Sequence, residues 1–376
     1  MEVDEQAVVV LDIGTHTSKC GFAGDDAPRS VFNTLVGRPR VPGIMIGMDM
    51  RDAYVGNEAL SMRGLLTMST PMEDRQVNSW EDISKVWHHT FYNELKVAPE
   101  EHTVLLSEPP LNPPQKKEKI IELMFEEFTV KNYYSVIGAT LGLFASGKTI
   151  GIVVDSGEGG THTVPVYEGY SCVHAINKLK FAGGEMTSFL RDLLDERGYS
   201  FTTPKETDIV RSIKERLCQV GEEITDTKAD DSHYSTSDVY YDLPDGNTVL
   251  VKNERYRAAE GLFQPHLFGI RDDGIQHKVF ESIMKCDQDI RKELYDHILL
   301  VGGTTLVSGI KERLRKEVQG LAPLGTKPVV VDPPEREYSV WIGGSILASL
   351  SSFQKMCISK QAYEEQGGAR IIHIKC

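Results

Sequence analysis

The sequence predicts an α/β fold in which one design is used twice, and three observations predict it. The first is an internal echo. Residues Val8-Val-Val-Leu-Asp12-Ile-Gly14-Thr15 form an apolar, β-branched run ending in Asp-x-Gly-Thr, and Ile150-Gly-Ile-Val-Val-Asp155-Ser-Gly157-Glu-Gly-Gly-Thr161 repeats that design. The second is the alternation of strand-like with helix-like stretches, which is how a sheet covered by helices reads. The third is length: 376 residues exceed one folding unit, and Asp12 and Asp155 stand about one unit apart.

In chain order, each echo is followed by a second strand-like stretch (Lys19-Cys-Gly-Phe-Ala; Thr163-Val-Pro-Val-Tyr), as a hairpin requires. Between them, Glu118 to Phe128 predicts a helix with Ile121, Met124, Phe125 and Phe128 on one stripe. Gly142-Leu-Phe-Ala-Ser-Gly147-Lys148-Thr149 matches the spacing of a P-loop. That loop works only between a preceding strand and a following helix, and here the order is reversed, so the match is accidental. Met186 to Gly198 predicts a helix stopped by Arg197-Gly198, and Thr225 to Asp238 is polar enough to predict an exposed loop. The apolar strand from His297 ends in Gly302-Gly303-Thr304 and is expected to open a helix, a seat for a nucleoside or phosphate. In Trp341-Ile-Gly-Gly-Ser the glycines read as close packing.

The composition narrows the function. Net charge is −14, from 41 Lys+Arg against 55 Asp+Glu, which argues against a nucleic-acid surface. The six cysteines (Cys20, Cys172, Cys218, Cys286, Cys357, Cys376) are scattered without a Cys-x-x-Cys pair, so free thiols in a reducing compartment are expected, not a disulfide framework or a zinc site. The acidic start does not read as a signal peptide, and no apolar run has bilayer length, so a soluble, cytoplasmic protein without membrane partners is expected.

The two Asp-x-Gly turns carry the chemistry. Glycine lets the backbone approach a phosphate, and successive N–H groups in a tight turn form an anion-binding concavity. Two such turns facing each other would clamp a polyphosphate. Asp12 and Asp155 would then hold Mg²⁺ through water, because Mg²⁺ keeps much of its hydration shell.

Longer stretches carry a resemblance. Cys20-Gly-Phe-Ala-Gly-Asp-Asp-Ala-Pro-Arg, Val36-Gly-Arg-Pro-Arg, Trp87-His-His-Thr-Phe-Tyr-Asn-Glu-Leu, Thr161-His-Thr-Val-Pro-Val-Tyr-Glu-Gly-Tyr, Asn253-Glu-Arg-Tyr-Arg and Tyr338-Ser-Val-Trp-Ile-Gly-Gly-Ser resemble the actins, and the likeness runs from end to end. It implies the duplicated fold shared by actin, sugar kinases and the large heat-shock chaperones, with two lobes around a nucleotide cleft. Residues 1–145 plus 338–376 would be the outer, small domain and 146–337 the inner, large one. It implies ATP or ADP with Mg²⁺ (or Ca²⁺). Asp12, Gly14, Thr15, His16 and Lys19 would belong to the first phosphate hairpin, and Asp155, Gly157, Glu158, Gly159 and His162 to the second. Arg211, Lys214, Glu215, Gly302, Gly303 and Thr304 would form the nucleoside pocket. Other actin or actin-like subunits and actin-binding proteins would dock at a second cleft marked by Phe144, Glu168, Tyr170, Ile346, Leu347 and Leu350. The projecting loop from Pro42, with Ile44, Met45, Ile46 and Met48, would enter a neighbour's cleft as an apolar anchor.

Departures from the actin pattern gather where chemistry would occur. Gly138 stands in place of the glutamine that positions the attacking water. Glu158 replaces an aspartate, His16 a glycine and Ile13 a polar residue; Glu337 replaces a lysine and Val307 a tyrosine beside the base, and Asp74 the modified histidine. His162, with Glu158 beside it, remains for proton and water handling. The inter-strand plug Gly269-Ile-Arg-Asp-Asp-Gly is more charged than usual, Ile374 replaces an arginine, and Cys376 stands where actins add a phenylalanine. The expectation is a cytoskeletal actin-like protein that binds nucleotide, assembles into filaments or a filament-like complex, and hydrolyses ATP slowly or not at all. Two alternatives stand beside it: a fully competent polymerising ATPase, and a fixed subunit of an axonemal, dynein-associated or chromatin complex with motor or axonemal proteins as partners.

Overall fold

The computed structural model describes residues 7–40, 51–221 and 238–366. The anchor loop from Pro42, the polar stretch Thr225 to Asp238 (its last residue excepted), Ile374 and Cys376 lie outside the described residues. The chain divides into two compact units, Met1–Lys148 with Tyr338–Cys376, and Thr149–Glu337.

In the first unit, β1 (Val9–Ile13) turns through Gly14-Thr15-His16 into the antiparallel β2 (Thr17–Phe22), which pairs with β3 (Ser30–Asn33). On its other side β1 runs parallel to β4 (Thr103–Glu108), and β4 parallel to β5 (Asn132–Ile137). The short strand Ile358–Ser359 closes the six-stranded sheet. Val9, Leu11, Val104 and Leu106 are buried on this sheet against Trp87, Phe91 and Phe125. The expected stripe Ile121, Met124, Phe125 and Phe128 is buried, but the α-helix Pro114–Glu122 gives way to a π-helical turn, Leu123–Glu127.

Helix α1 (Gly138–Ala145) follows β5 directly and packs on the helix Ser339–Ala348. A Cβ on Gly343 would stand 1.8 Å from the Leu141 carbonyl oxygen, and one on Gly344 2.8 Å from Val10. The glycines therefore let two backbones touch. From the same helix, buried Trp341 donates its indole N–H to the Val10 carbonyl at 3.0 Å, and Gly21 of β2 leaves room for its ring. The P-loop spacing falls on the end of α1 and a C-terminal turn with Gly147 at φ +70°, followed by a strand. The order is helix, turn, strand, the reverse of what a P-loop needs.

The second unit repeats the hairpin. Here β6 (Gly151–Ser156) turns into the antiparallel β7 (Thr161–Tyr167). Strands β8 (Tyr170–Ser171) and β9 (Asn177–Leu179) pair with β7. On the other side β6 runs parallel to β10 (Ile298–Val301), which pairs with Val330–Val331. Helices α2 (Gly183–Glu196) and α3 (Pro204–Leu217) cover it. Helix α2 stops as expected, with Gly198 at φ +101° donating to Asp195 and Tyr199 donating to Leu194.

Candidate functional site

Register makes the echo physical. In the first hairpin Asp12 is the next-to-last residue of β1 and stands opposite Lys19; in the second, Asp155 is next-to-last in β6 and stands opposite His162. Each aspartate thus has a basic residue across the ladder and a glycine-bearing turn just beyond. Asp155 and His162 are buried, whereas Asp12 keeps partial access.

Around Asp12 the side chains are ordered by charge. Lys19 Nζ lies 3.6 Å from one carboxylate oxygen and the Ser107 hydroxyl donates to the other at 2.6 Å. Asp12, Ile13, Gly14, Thr15, Met72, Arg75, Ser107, Glu108, Pro109 and Gly138 line one small cavity, of ≈ 40 Å³. The buried Thr15 hydroxyl oxygen has no hydrogen-bond partner among the described residues. Such a group costs roughly 1–3 kcal/mol unless something bonds it, and a phosphate oxygen fits that need. The Gly14 N–H closes the turn onto Thr17, and His16 accepts from the Thr34 N–H, so the backbone holds His16 at the turn. Ser107 and Arg75 escaped the sequence reading. Ser107 had the same signal as Asp12, a polar residue closing an apolar strand. Arg75 is carried by a two-residue hairpin turn in which Asp74 and Arg75 both take positive φ (51° and 65°), a geometry invisible in Glu73-Asp-Arg-Gln76.

The second hairpin is wired to side chains and backbone of its own unit. Glu158 accepts from Arg211 at 3.1 Å and from Lys214 at 3.3 Å, and Lys214 also donates to the Gly183 carbonyl at 3.0 Å. The N–H groups of Gly183 and Gly184, at the start of α2, donate to the carbonyls of Gly157 and Glu158, and the Thr304 hydroxyl reaches the Gly157 carbonyl at 2.8 Å. Gly157, Glu158, Arg211, Lys214 and Thr304 are therefore one connected group. A Cβ on Gly157 or Gly303 would meet open space, while one on Gly302 (φ +92°) would strike the Ser156 carbonyl oxygen at 2.4 Å. Gly302 is thus a packing glycine. The Gly302-Gly303-Thr304 turn does not open a helix directly: a single 3-10 turn, Gly303–Leu306, intervenes, and the helix begins at Ile310 after Gly309 at φ +84°.

Glu215 is an exposed residue with protein packed around it, and its carboxyl is pushed above the usual range. The crowding is the larger cause; Glu158 and Glu337 add to it, while Lys214 and Arg211 oppose it. Glu337 thus adds to the negative field at Glu215. Val307 packs against its own unit's core.

The actin family model matches residues 3–376. The chain belongs to the actin family. It is an actin-like, nucleotide-binding protein by that membership, and its fold class is the α/β fold of actin. Among the described residues no group of three or more His, Cys, Asp or Glu side chains converges on a metal position. No helix among the described residues is long and apolar enough to cross a membrane.

Proposed function

We propose that this actin-family protein binds ATP or ADP with Mg²⁺ through its two aspartate hairpins, assembles with actin-like subunits, and hydrolyses ATP weakly. The observation that carries the proposal is the company Gly138 keeps. It lines the same cavity as Asp12, Gly14 and the unpartnered Thr15 hydroxyl, so this phosphate-side position offers no side chain to hold a water. Bound nucleotide supplies the phosphoryl group and the metal its charge neutralisation. The chain's own parts do the rest: the turns cradle phosphate, Thr15 donates, Lys19 and Ser107 fix Asp12, and Arg211 and Lys214 fix Glu158. His162 remains as the group that holds protons and water, while its sequence neighbour in that role, Glu158, is made chiefly a brace for the turn by Arg211 and Lys214.

Docking of partners is supported by exposure within each unit. Tyr170 is 80% exposed, Ile346 45% and Leu350 51%, with Phe144 half-buried. Leu347 does not belong with them: at 6% exposure it faces the core, because the helix turns that side inward. One observation favours the alternative of a fixed subunit in a larger complex. At the plug, Asp272 is drawn onto Lys278 of the following helix at 2.6 Å, leaving Arg271 and Asp273 exposed, a charged tip unsuited to an apolar partner.

Calorimetric titration of Mg-ATP into the purified chain tests nucleotide binding. Saturable binding is expected, weakened about tenfold in Thr15→Val by loss of one charge-assisted bond. Equal affinity in both proteins would remove Thr15 from the site, and no heat with either would overturn the reading.

A further inference from the structure

One buried acid lines the cavity of Asp12, Thr15 and Gly138 without bonding to the hairpin. Glu108 closes β4, directly after the Ser107 that holds Asp12. In the register of the sheet it stands opposite Ile137, the residue before Gly138. Its carbonyl oxygen lies 3.8 Å from the place of a Cβ on Gly138. The Glu108 side chain is only 3% exposed, and burying a carboxylate is costly unless a cation compensates it. Lys117, on the helix Pro114–Glu122, supplies that cation, with Nζ 2.9 Å from one carboxylate oxygen. Among the described residues nothing bonds the other oxygen.

The cavity suits a water. Its volume is ≈ 40 Å³, against a share of about 30 Å³ for one water in the liquid. A confined water also needs two to four polar partners. Here the Thr15 hydroxyl and the Glu108 carboxylate both border the space, and the Thr15 oxygen has no partner among the described residues. A hydroxyl can donate to a phosphate and still accept from a water. A water donating one hydrogen to Thr15 and the other to Glu108 keeps a lone pair for attack.

We propose that Glu108 is a catalytic residue for slow ATP hydrolysis, holding the attacking water in this cavity and taking its proton. The role rests on the reading that the chain binds ATP and hydrolyses it weakly, and it gives that hydrolysis a second group besides His162. The water oxygen bonds to the terminal phosphorus. The bond from that phosphorus to the bridging oxygen breaks, and its electron pair leaves on ADP. One water proton passes to Glu108 and then to solvent, while the other stays on the released phosphate. Lys117 is a positioning residue, which fixes the carboxylate without touching substrate.

Three measurements on the purified full chain test this. Calorimetry with Mg-ADP gives ground-state affinity. Calorimetry with Mg-ADP plus aluminium fluoride reports capture of a transition-state mimic, and single-turnover phosphate release gives the rate. In Glu108→Gln, Mg-ADP affinity is expected to stay within about twofold, while capture weakens and release slows by about tenfold or more. Unchanged capture and release in a variant that binds Mg-ADP would overturn the assignment. So would a loss of Mg-ADP affinity as large as the loss of rate, which marks a structural prop, or a wild type that binds Mg-ATP and releases no phosphate. Failure of the wild type to bind either nucleotide would instead remove the underlying reading. Should Glu108→Gln fail to fold, Glu108→Asp keeps the charge for Lys117 but draws the carboxylate back by one methylene. It is expected to show the same split, and wild-type capture and rate there would overturn the proposal.

Discussion

Thr15, Arg75 and Gly138 line one small cavity, and in the proposed reading each would bear on phosphate in a different way. Thr15 brings a hydroxyl with a bond to make, Gly138 brings nothing, and Arg75 brings a fixed cation. A guanidinium matches phosphate geometry with two parallel bonds and keeps its charge at any working pH. Arg75 is placed by a tight turn on the wall of the cavity that Asp12 also lines, and we propose that it meets the terminal phosphate of ATP. Arg75→Ala is expected to lower affinity for ATP by about tenfold or more, at roughly 1.5–3 kcal/mol for a charged hydrogen bond, and to change ADP affinity much less. Fluorescent-nucleotide competition measures both. An equal loss for the two nucleotides would place Arg75 away from the terminal phosphate. The residues that sequence reasoning found were those whose chemistry lies in local pattern: Asp12 and Asp155 end apolar runs, with glycines beyond. Ser107 and Arg75 were missed because they reach the cavity through a parallel crossover and a positive-φ turn, and neither leaves a mark at fixed spacing.

Helix α1 owes its position to what Gly343 lacks. Two helices packed through ordinary side chains stand 8–10 Å apart; here a backbone carbonyl of α1 rests where a Cβ would be. Gly343→Ala must push Leu141 and its helix away. Overpacking of this kind costs about 1–3 kcal/mol, and a clash with backbone belongs at the upper end. A lower midpoint of thermal unfolding is expected, with a larger drop than in Gly320→Ala, where a Cβ meets open space. Equal midpoints would show that the helices are free to separate. At this scale the sequence was a good guide. The glycines after Trp341 read as packing and are packing, and the stop at Gly198 is a left-handed glycine. Less legible was the π-helical turn after Glu122, because it keeps the same apolar stripe buried while changing the hydrogen-bond step.

Over the whole molecule, duplication is written in hydrogen bonding more clearly than in residues. Each unit pairs its aspartate strand antiparallel to a return strand and parallel to a later one, with the aspartate one place from the end and a basic residue opposite. Little but Asp-x-Gly survives of this in the sequence, since a ladder constrains burial and register far more than identity. The resemblance to actins supplied what spacing could not, and the match over residues 3–376 bears it out. The departures give the protein its proposed character: a phosphate cradle retained, with the water-positioning side chain removed. Gly138 has ordinary backbone angles, and a Cβ there would stand 3.2 Å from Val340, which must yield by a few tenths of an ångström. The backbone at Gly138 therefore accepts a Cβ at the cost of that small shift. Phosphate release from ATP-loaded protein, followed under single-turnover conditions, tests the central claim most directly. Slow release by the wild type and a rise of about tenfold or more in Gly138→Gln is the expected result. Wild-type release as fast as that of a conventional actin assayed alongside, with no gain in the variant, would contradict the account.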